Sequence, residues 1–268
     1  MTIDETRSAF RALHRPGEPL VMPNAWDAGS AKLFASLGFA AIATTSSGFA
    51  ATLGRFDGGV SRDEALAHTA SLAAATPLPV NADLEDCFAD DPAGVAATIT
   101  AAAAAGAAGV SVEDFTRDDA RPIRDIGLAT ERVTAAVEAA RASGLVVTAR
   151  AENLIHGVRD LDDTIRRLQA FQEAGADVLY APGLFTIEDV RAVVTSVDRP
   201  VNVLLIGGGP DVPALAEAGV ARVSVGGTLA WVAWGAVAAA AGELLETGTQ
   251  GFTDLARAGG KAARTALS

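Results

Sequence analysis

The stretch Val80-Asn81-Ala82-Asp83-Leu84-Glu85-Asp86 carries the densest chemistry in the chain. Read as a strand, it sets Val80, Ala82 and Leu84 on one side and Asn81, Asp83 and Glu85 on the other, because successive strand side chains point to opposite faces. Parallel strands covered on both faces normally read as apolar runs, so two acids on one interior face need a compensating cation. A metal is the first expectation. Glu113 and Asp57 extend the acids to four, an oxygen-only donor set suited to Mg2+ or Mn2+ and often working through waters. Zinc fits less well, because only His14, His68 and His156 are present and two of them fall on helical stretches. Arg150 is the one cation projected to the same level, and its planar fork suits a carboxylate or phosphoryl group. Metal and arginine together predict an anionic, chelating small-molecule substrate. Buried Asp, Glu and Arg also occur as purely structural ion networks, and that alternative stays open on the residues alone.

These side chains need a scaffold that brings strand ends together. From Leu20 onward, short apolar runs alternate with Ala-rich helical stretches. Strands are expected over 20–26, 40–47, 78–85, 109–115, 145–152, 176–182, 200–206 and 222–226. Helices are expected over 28–37, 61–75, 92–105, 126–142, 160–174, 187–197, 212–218 and 228–246. Several helices end in Gly followed by a strand start, as at Gly38, Gly106, Gly144 and Gly175, where glycine takes the left-handed cap. Eight such units predict an α/β chain folded as a closed (β/α)8 TIM barrel. An open doubly wound sheet is the alternative, but it would want a Gly-rich first turn, and the chain has Asn24-Ala25-Trp26-Asp27 there.

In a barrel the chemistry gathers at the carboxyl ends of the strands. Two-residue alternation then faces inward Asn24 with Trp26, Thr45 with Ser47, Asp83 with Glu85, and Ser111 with Glu113. It does the same for Thr148, Arg150 and Glu152, for Asn202, and for Ser224. The outward phase, including Val110, Val112, Val147, Ala149, Val201 and Val203, is apolar. The Ser47-Gly48 pair could hold a substrate carboxylate through a hydroxyl and N–H groups, or be an ordinary strand-end turn. Asn202 is divided between substrate contact and core hydrogen bonding. His156 reads as a loop or capping residue rather than a catalyst, and Cys87 as a packed residue, since nothing among so many acids would activate its thiol. Only Lys32 and Lys261 are present, neither at a strand end, so a Schiff-base aldolase is excluded.

At 268 residues with half of them hydrophobic, the chain suits one barrel domain over 1–268, with a short N-terminal helix and a C-terminal helical tail. A formal net charge of -12 speaks against a nucleic-acid partner. The single cysteine excludes an intramolecular disulfide and, with a charged amino-terminal segment (1–15), leads to a cytoplasmic expectation. The uncharged run from Val225 to Gly242 reaches the length at which a membrane helix is considered, but it is mostly Ala, Gly and Val. It reads as a buried or intersubunit helix, with no membrane partner.

The succession Thr45-Ser46-Ser47-Gly48, Asp57, Asp83-Leu84-Glu85-Asp86, Gly109-Val110-Ser111-Val112-Glu113-Asp114, Thr148-Ala149-Arg150-Ala151-Glu152 and Pro200-Val201-Asn202-Val203 resembles the isocitrate lyase and phosphoenolpyruvate mutase superfamily. The resemblance implies a (β/α)8 barrel whose eighth helix is swapped with a neighbouring subunit, giving a homo-oligomeric dimer or tetramer. It implies Mg2+ near Asp83, with Asp57, Glu85 and Glu113 holding the metal or its waters. It also implies a substrate carboxylate or phosphoryl end held by Thr45, Ser47, Gly48 and Arg150, with Asn202 nearby. Arg150, Glu113 and Asp57 are the expected catalytic groups.

The chain departs from the family after strand four. The lyases carry a Lys-Lys-Cys-Gly-His loop there, and this chain reads Phe115-Thr116-Arg117-Asp118-Asp119-Ala120-Arg121-Pro122. With no thiol acid, the leading expectation is a Mg2+-dependent carbon–carbon lyase or decarboxylase acting on a small 2-oxo or 2-hydroxy carboxylate through an enolate that solvent protonates. Phosphonopyruvate-type P–C chemistry and a non-catalytic 2-oxo-acid-binding barrel are the alternatives. The loop could still close as a lid, bringing Arg117, Arg121 or Arg124 toward substrate.

Overall fold

The computed structural model describes residues 2–118 and 120–268; Met1, and Asp119 in the segment after the fourth expected strand, lie outside them. The chain opens with α1 (Ile3–Ala12), started by a reciprocal capping box between Thr2 and Glu5. The strands are β1 (Leu20–Met22), β2 (Asn24–Ala25), β3 (Ile42–Thr44), β4 (Val80–Asp83), β5 (Gly109–Glu113), β6 (Val146–Arg150), β7 (Val178–Tyr180), β8 (Val201–Leu204) and β9 (Arg222–Ser224). All pair in parallel in the order β1-β9-β8-β7-β6-β5-β4-β3-β2. The two ends of that order are separated in sequence only by Pro23, so the sheet closes on itself as a (β/α)8 barrel. Eight staves were legible; the first appears as two short segments because proline cannot donate to a ladder.

Between the strands run α2 (Ala28–Ser36), α3 (Ser46–Thr52), α4 (Arg62–Ala75), α5 (Pro92–Ala104), α6 (Ile126–Arg141), α7 (Leu161–Glu173), α8 (Ile187–Thr195), α9 (Val212–Glu217), α10 (Thr228–Thr247) and α11 (Thr253–Leu267). The outward strand phase packs on them as expected. Ala82, Leu84, Val110 and Val112 meet Val95, Ile99 and Ala102 of α5, while Ala149, Leu179, Val201 and Val203 meet Leu168 and Phe171 of α7. Each large apolar side chain buried this way contributes about 1.5–3 kcal/mol. The outward surface therefore fixes which residues are left to face inward.

The floor of the barrel is sealed by α1. Arg7 donates to the carbonyls of Ala107 (3.0 Å), Ser143 (2.9 Å) and Ala103 (2.8 Å). His14 follows, with Nδ1 2.9 Å from the Phe10 carbonyl and Nε2 3.1 Å from Arg222 Nη1. A guanidinium only donates, so Nε2 is the acceptor and the ring is the neutral Nδ1–H tautomer. Burial and the nearby Arg222 charge push the His14 pKa down to about 3. The unfolded imidazole takes a proton near pH 6.5 that the folded one refuses, so this contribution is intact above about 6.5 and is lost as pH falls toward 3. At pH 5 the loss is on the order of 2 kcal/mol. His14→Gln is expected to flatten the decline of melting temperature between pH 7 and 5; an unchanged slope would show that His14 does not carry it.

Of the two settings expected for the apolar 225–242 run, buried or intersubunit, burial within the chain is excluded. Thr228–Thr247 is not buried within the chain: Ala230 is its one buried residue, and Trp231, Val232, Trp234, Val237 and Leu245 are exposed. Its first turn is anchored, because Ala230 lies against Gly48, whose added Cβ would come within 3.3 Å of the Ala230 methyl. By length and composition α10 is apolar enough to cross a membrane. α11 returns against α2.

Candidate active site at the carboxyl ends of the strands

A cavity of about 390 Å³ opens where the strands end, lined by residues from every stave. Asp83 closes β4 and is held from three sides. Its backbone N–H donates to Thr44 Oγ1 (2.8 Å), its Oδ2 accepts the Ser46 N–H (3.1 Å), and its Oδ1 accepts from Ser111 Oγ (3.4 Å) and Arg150 Nη1 (3.3 Å). After Asp83 the chain turns sharply, with Glu85, Cys87 and Phe88 all in the left-handed region (φ 51°, 59° and 55°). Such residues each store about 1–3 kcal/mol of strain, so the turn needs external support. Arg132, buried in α6, supplies it by donating to the carbonyls of Asp86, Ala89 (2.9 Å) and Glu113 (2.9 Å), and Thr98 holds the Cys87 carbonyl (2.9 Å). The turn redirects Glu85 over the mouth. Cys87 is fully buried, and burial pushes its thiol up to about 12, which leaves it inert.

The electrostatics are those of an acid cluster with too few cations. Arg150 Nη1 reaches Glu113 Oε1 (2.8 Å), and Arg150 Nε reaches Glu152 Oε1 (2.7 Å). The guanidinium lies 4.9 Å from the Tyr180 ring centroid. Despite Arg150, burial holds Glu113 well above the ordinary carboxylate range, whereas Glu152 is held below it by Arg150 and His156 against its own burial. Burial pushes Glu85 up to about 7, with Arg117 opposing and Asp83, Asp57 and Asp86 adding to it. Asp57 is raised by desolvation and by Asp83. A second arginine answers part of this charge. Arg117 Nη2 reaches Glu85 (2.8 Å) and Asp86 (3.0 Å), and its Nη1 donates to the Gly58 carbonyl (3.2 Å), joining the loops that follow β3 and β5.

These residues fit a hard divalent cation. The donors are carboxylate oxygens, and three of them are raised by burial and mutual repulsion, as acids awaiting a positive charge are. Among the described residues no three acidic, thiol or imidazole groups already converge as a ligand set.

Most expected site residues meet at this mouth: Thr45, Ser47, Asp57, Asp83, Glu85, Glu113, Arg150 and Asn202 all line the cavity. Three differ from expectation in geometry. Trp26 does not face inward, because β2 ends at Ala25, the chain bends at Trp26 and Asp27, and the indole packs edge-on against Phe34 (6.1 Å) outside the ring. Gly48 offers no free N–H: α3 begins at Ser46, its cap Thr45 accepts the Gly48 N–H (3.3 Å), and an added Cβ would meet Thr45 Cγ2 at 2.6 Å. Asn202 is engaged at both ends, accepting from Arg222 Nε (2.9 Å) and donating to Ser224 Oγ (3.0 Å), which leaves one N–H and one lone pair for a ligand. Of the loop arginines, Arg117 reaches the cavity, Arg124 is buried against Asp86 and Asp90, and Arg121 points to solvent. Tyr180, Arg222, Phe115, Ile155 and His156 also line it. Alternation from Ser224 would have found Arg222; the uniformly apolar β7 gave no signal for Tyr180.

Comparison with known proteins follows the same line. The family model described as phosphoenolpyruvate phosphomutase matches residues 10–245. The 2-methylisocitrate lyase of Escherichia coli is 32% identical over 209 residues, covering 75% of this chain and 70% of that enzyme. A crystal structure from Burkholderia cenocepacia J2315, carrying only a provisional lyase/mutase assignment, is 51% identical with a TM-score of 0.91, covering 94% and 92% of the two chains. A phosphonopyruvate hydrolase solved with oxalate and Mg2+ is 26% identical with a TM-score of 0.81, covering 96% and 91%. The chain therefore belongs to the phosphoenolpyruvate phosphomutase family, within the isocitrate lyase and phosphoenolpyruvate mutase superfamily that its motifs resemble, and is an enzyme of the lyase class.

Proposed function

We propose that the protein is a Mg2+-dependent lyase or decarboxylase that cleaves a carbon–carbon bond in a small 2-oxo or 2-hydroxy carboxylate. The observation that carries this reading is the meeting of Asp57, Asp83, Glu85 and Glu113 with Arg150 in one cavity. The related hydrolase that binds oxalate and Mg2+ supports it. Asp83 would hold the ion, with Asp57, Glu85 and Glu113 acting on it or its waters. When bound, Mg2+ would supply Lewis-acid stabilisation of the charge that builds on the substrate oxygens as the bond breaks. Arg150, pinned by Glu113 and Glu152, orients the substrate carboxylate beside Ser47 and Thr45. With a 2-hydroxy acid, Asp57 takes the hydroxyl proton as the carbonyl forms and the bond electrons pass to the departing carbon. With a 2-oxo acid such as oxaloacetate, CO2 leaves and the electrons settle on the oxo oxygen as an enolate.

A second reading, P–C bond chemistry on a phosphonopyruvate-like substrate, is favoured by the matched family model and by the fork of Arg150, which suits a phosphoryl group equally well. We also propose that a second copy of the chain covers the exposed apolar face of α10, the helix exchange that the resemblance implies. One experiment tests these points on a sample whose mass is measured by light scattering. Turnover of oxaloacetate, malates, isocitrates and phosphonopyruvate is followed with Mg2+ and with EDTA. Cleavage of a C–C substrate that EDTA abolishes, in a dimer or larger species, is expected. Turnover unaffected by EDTA would remove the metal, phosphonopyruvate turnover alone would select the second reading, and a monomer would remove the helix exchange.

A further inference from the structure

The loop after β6 places an imidazole in the cavity that the reading above leaves unused. His156 lines the same cavity as Asp83, Glu113 and Arg150, and its side chain keeps 30% of its surface exposed. Its ring lies parallel to Phe115, with centroids 3.7 Å apart and planes within 5°, so its orientation is fixed from one face. Phe115 is itself held, by a bridge to Ile123 and by the Thr116 N–H donating to the Pro122 carbonyl (2.8 Å). Along the ring edge, Nε2 stands 3.6 Å from Glu152 Oε2. Glu152 is 2% exposed, its other oxygen accepts from Arg150 Nε, and its N–H donates to Asp114 Oδ1 (2.8 Å). The carboxylate thus sits between the guanidinium that binds substrate and the imidazole.

From this geometry we propose that His156 is the general acid that protonates the enolate carbon, in place of solvent. The proposal rests on the enolate reading above. Imidazole is the side chain suited to giving and taking a proton at physiological pH. The 3.6 Å gap is longer than a hydrogen bond, so Nε2 is flanked by Glu152 without being committed to it. Glu152, whose carboxylate Arg150 helps to hold below the ordinary carboxylate range, stands beside that nitrogen as a negatively charged neighbour. In the step, the electron pair of the enolate forms the new C–H bond with the imidazolium proton, and the C2 carbonyl is restored. His156 is left neutral and regains its proton from water at its exposed edge. Among the described residues that line the cavity none is a lysine or a cysteine, so the proton donors beside His156 are the Tyr180 phenol and the carboxyls of the acid cluster.

The test uses exchange of pyruvate methyl protons in D2O with Mg2+, read by proton NMR, which forms and quenches an enolate without requiring the physiological substrate. The wild-type protein is expected to exchange the methyl group, and His156→Gln to slow exchange by roughly 10²-fold or more, the usual size of general acid–base assistance. Oxalate affinity with Mg2+, measured by calorimetry, and melting temperature are expected to stay near wild type in the variant. Added imidazole is expected to restore part of the rate to His156→Gly. Undiminished exchange in His156→Gln would overturn the role of His156 while leaving the enolate reading in place. Loss of exchange together with oxalate binding would also overturn it, by showing that His156 only shapes the cavity. Absence of exchange in the wild type with any 2-oxo acid would sink the enolate reading itself and this proposal with it.

Discussion

Asp83→Ala is expected to reduce Mg2+ affinity below detection by calorimetry and to lower turnover by about 10³-fold or more, equivalent to about 4 kcal/mol of transition-state stabilisation. The fold is expected to survive. Three groups hold the Asp83 carboxylate, and the loss of each is bearable. Arg150 retains Glu113 and Glu152, the Ser46 N–H and the Ser111 hydroxyl line the open cavity where water can take the place of the carboxylate, and the Thr44 hydroxyl still accepts the backbone N–H at position 83. The variant should therefore show wild-type circular dichroism and a melting temperature within a few degrees. Unchanged Mg2+ affinity would remove Asp83 from the metal assignment.

Arg150→Met is expected to damage stability as well as activity, because Arg150 is the guanidinium between Glu113 and Glu152, both buried. Removing one partner of a buried ion pair typically costs about 3–5 kcal/mol, since the remaining charge has no water to replace it. For a chain of this size that corresponds to roughly 10 °C in melting temperature. The sign with pH is distinctive. Without Arg150 both carboxyls have folded pKa values above their unfolded ones. They then add nothing unfavourable at low pH and destabilise progressively as pH rises through the folded values. The gap between variant and wild type should accordingly widen from pH 5 to pH 8 in thermal melts. Arg150→Lys should recover part of the stability but little of the turnover, since an ammonium cannot span two carboxylates and a substrate carboxylate together. A pH-independent gap would mean that the two glutamates are not held by this arginine.

The polar phase of the strands was readable because two-residue alternation is a property of the backbone alone. Once β4 is taken as parallel and interior, Asp83 can face only the barrel axis, and Ser111, Glu113 and Arg150 follow in register. What alternation could not give was the behaviour of residues just past the ladder. Glu85 reaches the mouth through a left-handed turn rather than along a strand, and Thr45 to Ser47 belong to a helix cap. Trp26 was misplaced because β2 ends at Ala25: Met22 and Asn24 keep the inward phase across Pro23, but Trp26 already lies in the bend that leads to the Asp27 cap of α2. The loop chemistry was hidden for another reason: Arg117 with Glu85, and His156 with Phe115, are contacts between loops distant in sequence. No local pattern encodes them.

The contact between His14 and Arg222 joins residues 208 apart, and β1 finds its partner only in β9. During synthesis the first helix and first strand leave the ribosome long before the strand that completes them. The growing chain must carry an open, unclosed sheet until β9 has been made. Closure is then a single late event with a large loop-entropy cost, the kind of topology that folds slowly and exposes strand edges meanwhile. The last strand to emerge brings the buried charge that the segment after the first helix is placed to receive, and the apolar α10 follows it immediately.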